Sequence, residues 1–225
     1  MLSEVDIKSM RSQRRVLGIL CILLAPCSFL FGLIGAKYNE PYWYTSISDT
    51  YYANSKILMI GLLFSTAVYF LSYKGYDKKD RICSLVEAIS AFGIITFPNG
   101  NTQLRNVTGL FCLPNNVSNV IHDISAGTLF ITFGVNIFFL FTLGDVNNPK
   151  KRQRNIIYRV CGIMIFLGVI AQMIYGFVYN NYLSYTTPPS AFTMINEFIM
   201  LIAFGFSYLV KSEAIAKLND NIELA

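Results

Sequence analysis

Val16-Leu17-Gly18-Ile19-Leu20-Cys21-Ile22-Leu23-Leu24-Ala25-Pro26-Cys27-Ser28-Phe29-Leu30-Phe31-Gly32-Leu33-Ile34-Gly35-Ala36 runs without one charged side chain. At about 1.5 Å per residue, a helix of this length crosses the roughly 30 Å hydrocarbon core of a bilayer. Basic residues precede it, as they would a signal peptide. The run is longer than the apolar core of such a peptide, however, and no small-x-small cleavage site follows. Leu24-Ala25-Pro26-Cys27 is only faintly like a lipoprotein site, because Pro stands beside the Cys and the apolar run continues. The stretch reads as an uncleaved first span.

Five further runs of this kind follow, over 56–73, 82–98, 120–143, 156–179 and 191–210. Spans of a β-barrel would show alternation over about ten residues, and these runs are unbroken. The expected fold is therefore all-α: a polytopic membrane protein with six transmembrane helices in one bundle, a single domain over 1–225. Composition agrees, with 54% hydrophobic residues, 14% charged and a mean hydropathy of +0.48. A soluble domain carries about 25% charged residues.

The net charge of +5 does not point to nucleic acid, because of where the charge lies. Lys8, Arg11, Arg14, Arg15, Lys74, Lys78, Lys79, Arg81, Lys150, Lys151, Arg152, Arg154, Arg159, Lys211 and Lys217 fall on one side of the expected membrane. Only Lys37, Lys56 and Arg105 fall on the other, fifteen against three. Positive charge stays inside, which puts both termini in the cytoplasm of a cell with this protein in its plasma membrane. Membrane lipids are the expected partners. No cofactor or metal is expected, since no phosphate loop or metal-type Cys spacing occurs and His122 is the only histidine.

Between the first two spans lies Tyr42-Trp43-Tyr44-Thr45-Ser46-Ile47-Ser48-Asp49-Thr50-Tyr51-Tyr52, which holds the only Trp. Aromatic rings with polar tips gather where a membrane meets water. A second outer loop carries the sequons Asn106-Val107-Thr108 and Asn116-Val117-Ser118, and the third carries Pro188-Pro189 before the last span. Of five Cys, only Cys112 lies in an outer loop, so no disulfide is expected. Gly61-x-x-x-Ser65, Ser84-x-x-x-Ala88 and Ala126-Gly127 are expected to let helices approach closely.

Ionisable groups at membrane depth are costly, which makes each a candidate for function. Glu87 and Arg159 sit at similar inner depths and read as an ion pair. A second set lies near the outer face: His122, Asp123, Gln172, Asn196 and Glu197, roofed by Ser46, Ser48, Asp49, Tyr51 and Tyr52. Several uses stay open for it. These groups could satisfy one another and fix helix register, or bind a lipid or small amphiphile. Ser46 or Ser48 with His122 and Asp123 could also hydrolyse an amide or ester. Transport is disfavoured, because the spans hold little broken helix near the midplane.

Ser46-Ile47-Ser48-x-x-Tyr51-Tyr52, Tyr73-Lys74-Gly75-Tyr76, Phe97-Pro98 and His122 resemble the pattern of a group of uncharacterised bacterial six-span membrane proteins. The resemblance covers about 42–144 and is weaker around Tyr158-Arg159-Val160-Cys161-Gly162. Where members of that group carry a second His after the paired Tyr, this chain has Ala53 and Asn54. The group is in turn distantly similar to alkaline ceramidase-like hydrolases, which set Ser, Asp and several His around zinc. That likeness implies hydrolysis, but this chain lacks the His complement.

Overall fold

The computed structural model describes residues 4–34, 44–99, 107–144, 148–183 and 190–219. Tyr42, Trp43, Lys37, Arg105, Asn106 and Pro188-Pro189 lie outside the described residues. The chain is all-α, with helices α1 Glu4–Ile34, α2 Lys56–Ser72, α3 Lys78–Thr96, α4 Asn115–Val135, α5 Pro149–Val178 and α6 Phe192–Lys211. Among the described residues the one β element is a short antiparallel pair, Val107–Thr108 with Leu113–Pro114. Among the described residues four helical stretches are long and apolar enough to cross a membrane: Glu4–Ile34, Asn115–Leu140, Pro149–Leu183 and Phe192–Lys211. α2 is apolar but has 17 residues, and α3 opens on Lys78-Lys79-Asp80-Arg81.

The helices run longer than the apolar runs at several ends. α1 takes in Lys8 to Arg15, and α5 starts at Pro149 instead of 156. Hydropathy marks the part of a helix suited to lipid, whereas local caps decide where the helix itself begins. Asn148 caps α5, its Oδ1 accepting from Lys150 N (2.8 Å) and Lys151 N (3.3 Å), and Pro149 occupies the first turn, where no N–H is needed. Asp77 does the same for α3 through Asp80 N (2.8 Å), and Gly75 (φ +71°) makes the turn into it. A Cβ on Gly75 would stand 2.6 Å from the Asp80 Cβ, so the turn requires glycine twice over.

Each helix packs against its neighbours in sequence, and α6 packs back on α1, closing a ring. Neighbours run antiparallel. Ser84 Oγ donates to Phe70 O (2.5 Å) across the α2–α3 hairpin, and Arg81 donates to Leu71 O (2.7 Å) and Tyr73 O (2.6 Å), satisfying the last carbonyls of α2. The start of α1 meets the end of α6 through an Arg11–Glu213 ion pair at 2.7 Å. Halfway along, Gly18 and Gly205 touch backbone to backbone: a Cβ on either would come within 2.7 Å of the other's carbonyl oxygen. At the ring's centre Phe70, Phe133, Phe204 and Tyr208 pack ring against ring, Phe133 stacked on Phe204 and the other pairs tilted or edge-on, every one of them buried. Such pairs add about 0.5–1.5 kcal/mol each beyond their contact area.

The bundle has a basic end, holding Arg14, Lys151 and Lys211, and an aromatic end, holding Thr45–Tyr52. Two expectations about packing fail. Gly61 and Gly127 have nothing within 4 Å of where a Cβ would sit, so neither is a close-approach point. Ser84 and Ala88 are buried on the inner face of α3, as expected. The Glu87–Arg159 pair also does not form. Glu87 is fully buried, and its Oε1 accepts from Asn136 Nδ2 (3.0 Å), which also donates to Tyr208 Oη (3.1 Å). Arg159 is exposed on the outer face of α5. Tyr158 faces the core, and the next residue on a helix points about 100° away.

Candidate binding site between α4 and α5

At the aromatic end, the segment after α1 folds on itself before it reaches any helix. Asp49 Oδ2 accepts from Thr45 N (2.9 Å), Thr45 Oγ1 (2.5 Å) and Ser46 N (3.0 Å). Ser46 Oγ accepts from Asp49 N (3.1 Å). Thr50 Oγ1 donates to Ile47 O (2.5 Å), which closes a 3₁₀ turn over Ser48–Tyr52. The knot is then stapled to the first turns of α6: Met194 N donates to Thr45 O (2.8 Å), and Ile47 N to Glu197 Oε2 (2.8 Å). The first bond supplies a partner for one of the N–H groups that a helix start leaves open.

His122, buried on α4, holds the knot from the other side. Its Nδ1 lies 2.9 Å from Phe97 O and its Nε2 lies 2.9 Å from Ser48 Oγ. A carbonyl oxygen only accepts, so Nδ1 carries the proton and Nε2 accepts from the Ser48 hydroxyl. Ser118, a turn earlier, donates to Pro98 O (2.7 Å), and Tyr52 donates to Asn99 O (2.6 Å). The chain leaving α3 is thereby tied to α4 and to the aromatic segment at three successive carbonyls.

Below this roof α4 and α5 spread apart. Toward the basic end they touch closely, since a Cβ on Gly134 would meet Phe166 at 2.7 Å and one on Gly162 would meet Phe138 at 2.7 Å. Toward the aromatic end, Gly127 and Gly176 face empty space. The wedge between them is a cleft of about 540 Å³. Its polar lining is Thr45, Ser46, Ser48, Asn99, His122, Asp123, Gln172, Thr193 and Glu197, and its apolar wall includes Phe130, Val169, Met173 and Phe177. Met173 and Phe177 are 70% and 63% exposed, so the mouth opens sideways between the two helices. A small apolar cavity of about 40 Å³ lies deeper, on the inner side of Ser48, Ala126, Phe130 and Glu197.

The structure thus brings Ser46, Ser48, His122, Asp123, Gln172 and Glu197 to one cleft. It does not bring Tyr51, Tyr52 or Asn196 there. Lys56 Nζ sits 4.0 Å from the Tyr51 ring centroid, Tyr52 is bound to Asn99 O, and Asn196 donates to Gly168 O (2.8 Å) and Gln172 Oε1 (3.3 Å). Asp49 is committed to its own turn. Asn99 and Thr45 line the cleft without having been singled out, because both present themselves through loop geometry. Asp123 is exposed one residue beyond His122 and does not orient it, and the Phe97 carbonyl does that instead.

The cleft's electrostatics are one-sided. Asp123 and Glu197 line it, and no Lys or Arg does among the described residues. Nor do the described residues place three His, Cys, Asp or Glu side chains together as metal ligands would be. No family model matches the chain, and neither a curated protein nor a solved structure does.

Proposed function

We propose that the chain is a six-span plasma-membrane protein, both termini cytoplasmic, whose outer-facing cleft binds an amphiphile with a cationic or donor-rich head. The observation that carries this reading is the wedge between α4 and α5. It has an acidic, hydrogen-bonding floor, an apolar wall and a sideways mouth, the shape a lipid-like molecule fills from within a leaflet. Six spans are supported by the closed antiparallel ring, which puts α2 and α3 side by side with the four long apolar helices. The orientation rests on the charge count, with the basic end inside. The resemblance to six-span bacterial membrane proteins points the same way.

Native mass spectrometry of the protein released from its own membrane tests the binding reading. A co-purifying amphiphile with an amine or polyhydroxyl head supports it, provided that Gly127→Leu removes that species. A protein free of bound amphiphile, or one whose bound lipids are unchanged by Gly127→Leu, overturns it.

One contact favours a second reading, hydrolysis of a lipid amide or ester. Ser48 Oγ would attack the carbonyl carbon and pass its proton to His122 Nε2. The His would return that proton to the leaving amine or alcohol, and water would then release the acyl-Ser48 by the same steps. The tautomer is right for a base, and the distance of 2.9 Å is within reach. Against it stands Asp123, an exposed carboxylate at the cleft whose negative charge opposes a developing oxyanion. Labelling of Ser48 by a fluorophosphonate, abolished by His122→Ala, would place hydrolysis above simple binding.

A further inference from the structure

The chain that joins α3 to α4 carries no charged side chain from Asn106 to Ile121, although its place is that of an outer loop. Its described part is the hairpin of Val107–Thr108 with Leu113–Pro114. Cys112 N donates to Gly109 O (3.3 Å) and closes the turn, which leaves Leu110 and Phe111 as its two central residues. Turns that face water are built mostly from Gly, Asn, Asp, Ser and Pro. Here the tip presents Leu110 and Phe111, 77% and 61% exposed.

The tip is tied to the end of α3. Leu110 N donates to the carbonyl of Thr96, the last residue of that helix, at 3.3 Å. Gly109 (φ +77°) comes so near that a Cβ there would stand 2.7 Å from the same oxygen. The Phe111 ring stacks on that of Phe97, with centroids 5.7 Å apart. On the hairpin's other side α4 begins at once, and it turns Val117, Val120, Ile124 and Ile131 away from the core, all of them exposed. Steps of three, four and seven put these four on one helix face. That apolar stripe starts in the first turn of α4, so the surface suited to lipid already begins beside the hairpin.

We propose that the Gly109–Cys112 turn is a lipid contact, with Leu110 and Phe111 dipping into the leaflet at this end of the bundle. The reading rests on α3 and α4 crossing the membrane. An aliphatic chain and an aromatic ring without a neighbouring charge are what an interfacial anchor uses. α3 also has a use for it. After its charged opening it offers lipid only the stretch from Ile82 to Thr96, about 22 Å of helix against a hydrocarbon core of roughly 30 Å. The tip adds apolar surface at the end where that helix falls short. Such anchors settle about 5–10 Å into the headgroup boundary, shallow enough for Cys112 beside the tip to remain open to aqueous thiol reagents.

The test uses the full chain in phosphatidylcholine nanodiscs, with a single Trp as the probe. Trp43 is the only native Trp, so Trp43→Phe gives a silent background. Leu110→Trp is placed in it, with Phe111→Trp as a second probe if the first does not fold. Ile124→Trp, on the exposed stripe of α4, serves as the membrane reference. Emission is quenched from the lipid side by phosphatidylcholine brominated high on its chains, and from the water side by iodide. The tip probe should emit to the blue of free Trp and lose more fluorescence to brominated lipid than to iodide, as the reference does. A tip probe quenched by iodide alone, beside a lipid-quenched reference, overturns the proposal and marks the tip as a surface for a protein. A tip probe that neither agent reaches is covered by the chain itself and also overturns it. If the reference too escapes the brominated lipid, the membrane reading of α4 fails, and this proposal falls with it.

Discussion

The hydroxyl of Ser48 sits 2.9 Å from Nε2 of His122, joining the segment after α1 to a helix that begins more than sixty residues later. With Nδ1 held by Phe97 O, the one imidazole bridges two stretches of chain that also meet through Tyr52 and Asn99 O. His122→Ala removes both bonds and leaves a carbonyl and a hydroxyl, both on half-buried residues, without the imidazole. The expected loss is about 1–3 kcal/mol. Trypsin added from the aromatic side should then cut faster after Lys56, which follows the loosened turn. Unchanged proteolysis and an unchanged melting temperature would show that the bridge does not hold the segment.

The buried Glu87–Asn136–Tyr208 set gives a contrast with the surface. Asn136→Ala would leave Glu87 Oε1 and Tyr208 Oη unpaired in the core, at an expected cost of about 2–4 kcal/mol. Arg159→Gln should fall within about 0.5 kcal/mol of wild type. Reversible unfolding in detergent, read as double-mutant cycles, checks both. Coupling should be strong for Glu87 with Asn136 and near zero for Glu87 with Arg159.

The antiparallel bundle was legible because charge-free runs of helical length have few other uses, and because Lys and Arg gather at alternate turns. Depth along each span was legible for the same reason, and it brought His122, Gln172 and Glu197 to one level. The side of each helix that faces inward was not. Glu87 and Arg159 share a depth and diverge in direction, since Tyr158 takes the inward position beside Arg159. The role of Asp49 was hidden by its own neighbours, because a carboxylate three or four residues from open N–H groups closes a turn before it meets a ligand. Lys151 and Lys211 read only as positive charge at a membrane edge. Both donate to Phe141 O, and that meeting depends on how the chain turns after α4.

Glycines in the spans should divide sharply by partner. A methyl on Gly205 would stand 2.6 Å from Gly18 O, and backbone cannot yield as a side chain can. Gly205→Ala should therefore cost about 1–3 kcal/mol, the usual range for an overpacked core. Gly61→Ala meets open space and should be neutral or stabilising by up to about 1 kcal/mol through helix propensity. Equal effects at the two positions would contradict the ring closure between α1 and α6.

Orientation can be read with thiols. Cys112 is exposed, Cys21 and Cys161 are buried, and Cys27 and Cys83 are partly buried. A membrane-impermeant maleimide applied to whole cells should label Cys112. With Cys112→Ser in the background, Lys79→Cys should react only after the membrane is opened. Labelling of position 79 from outside would reverse the bundle in the membrane and put the acidic cleft in the cytoplasmic leaflet.

The wedge between α4 and α5 offers a test in which stability and binding part company. Gly127 and Gly176 both line the cleft and both face space, so a larger side chain at either meets no backbone. Gly127→Leu and Gly176→Leu should keep the melting temperature within a few degrees, helped by better helix propensity. Each should also fill part of the roughly 540 Å³ volume and displace whatever amphiphile occupies it. Glu197→Gln acts differently, keeping the shape and the acceptor for Ile47 N while removing the ionisable carboxyl that could pair with a cation. A ligand held through a cationic head should be lost from Glu197→Gln as well as from the leucine variants. A neutral, donor-rich ligand should survive Glu197→Gln and be lost only when the cleft is filled. If Gly127→Leu and Gly176→Leu instead unfold the protein, the two helices are closer in the membrane than the wedge requires, and the cleft is not a binding site.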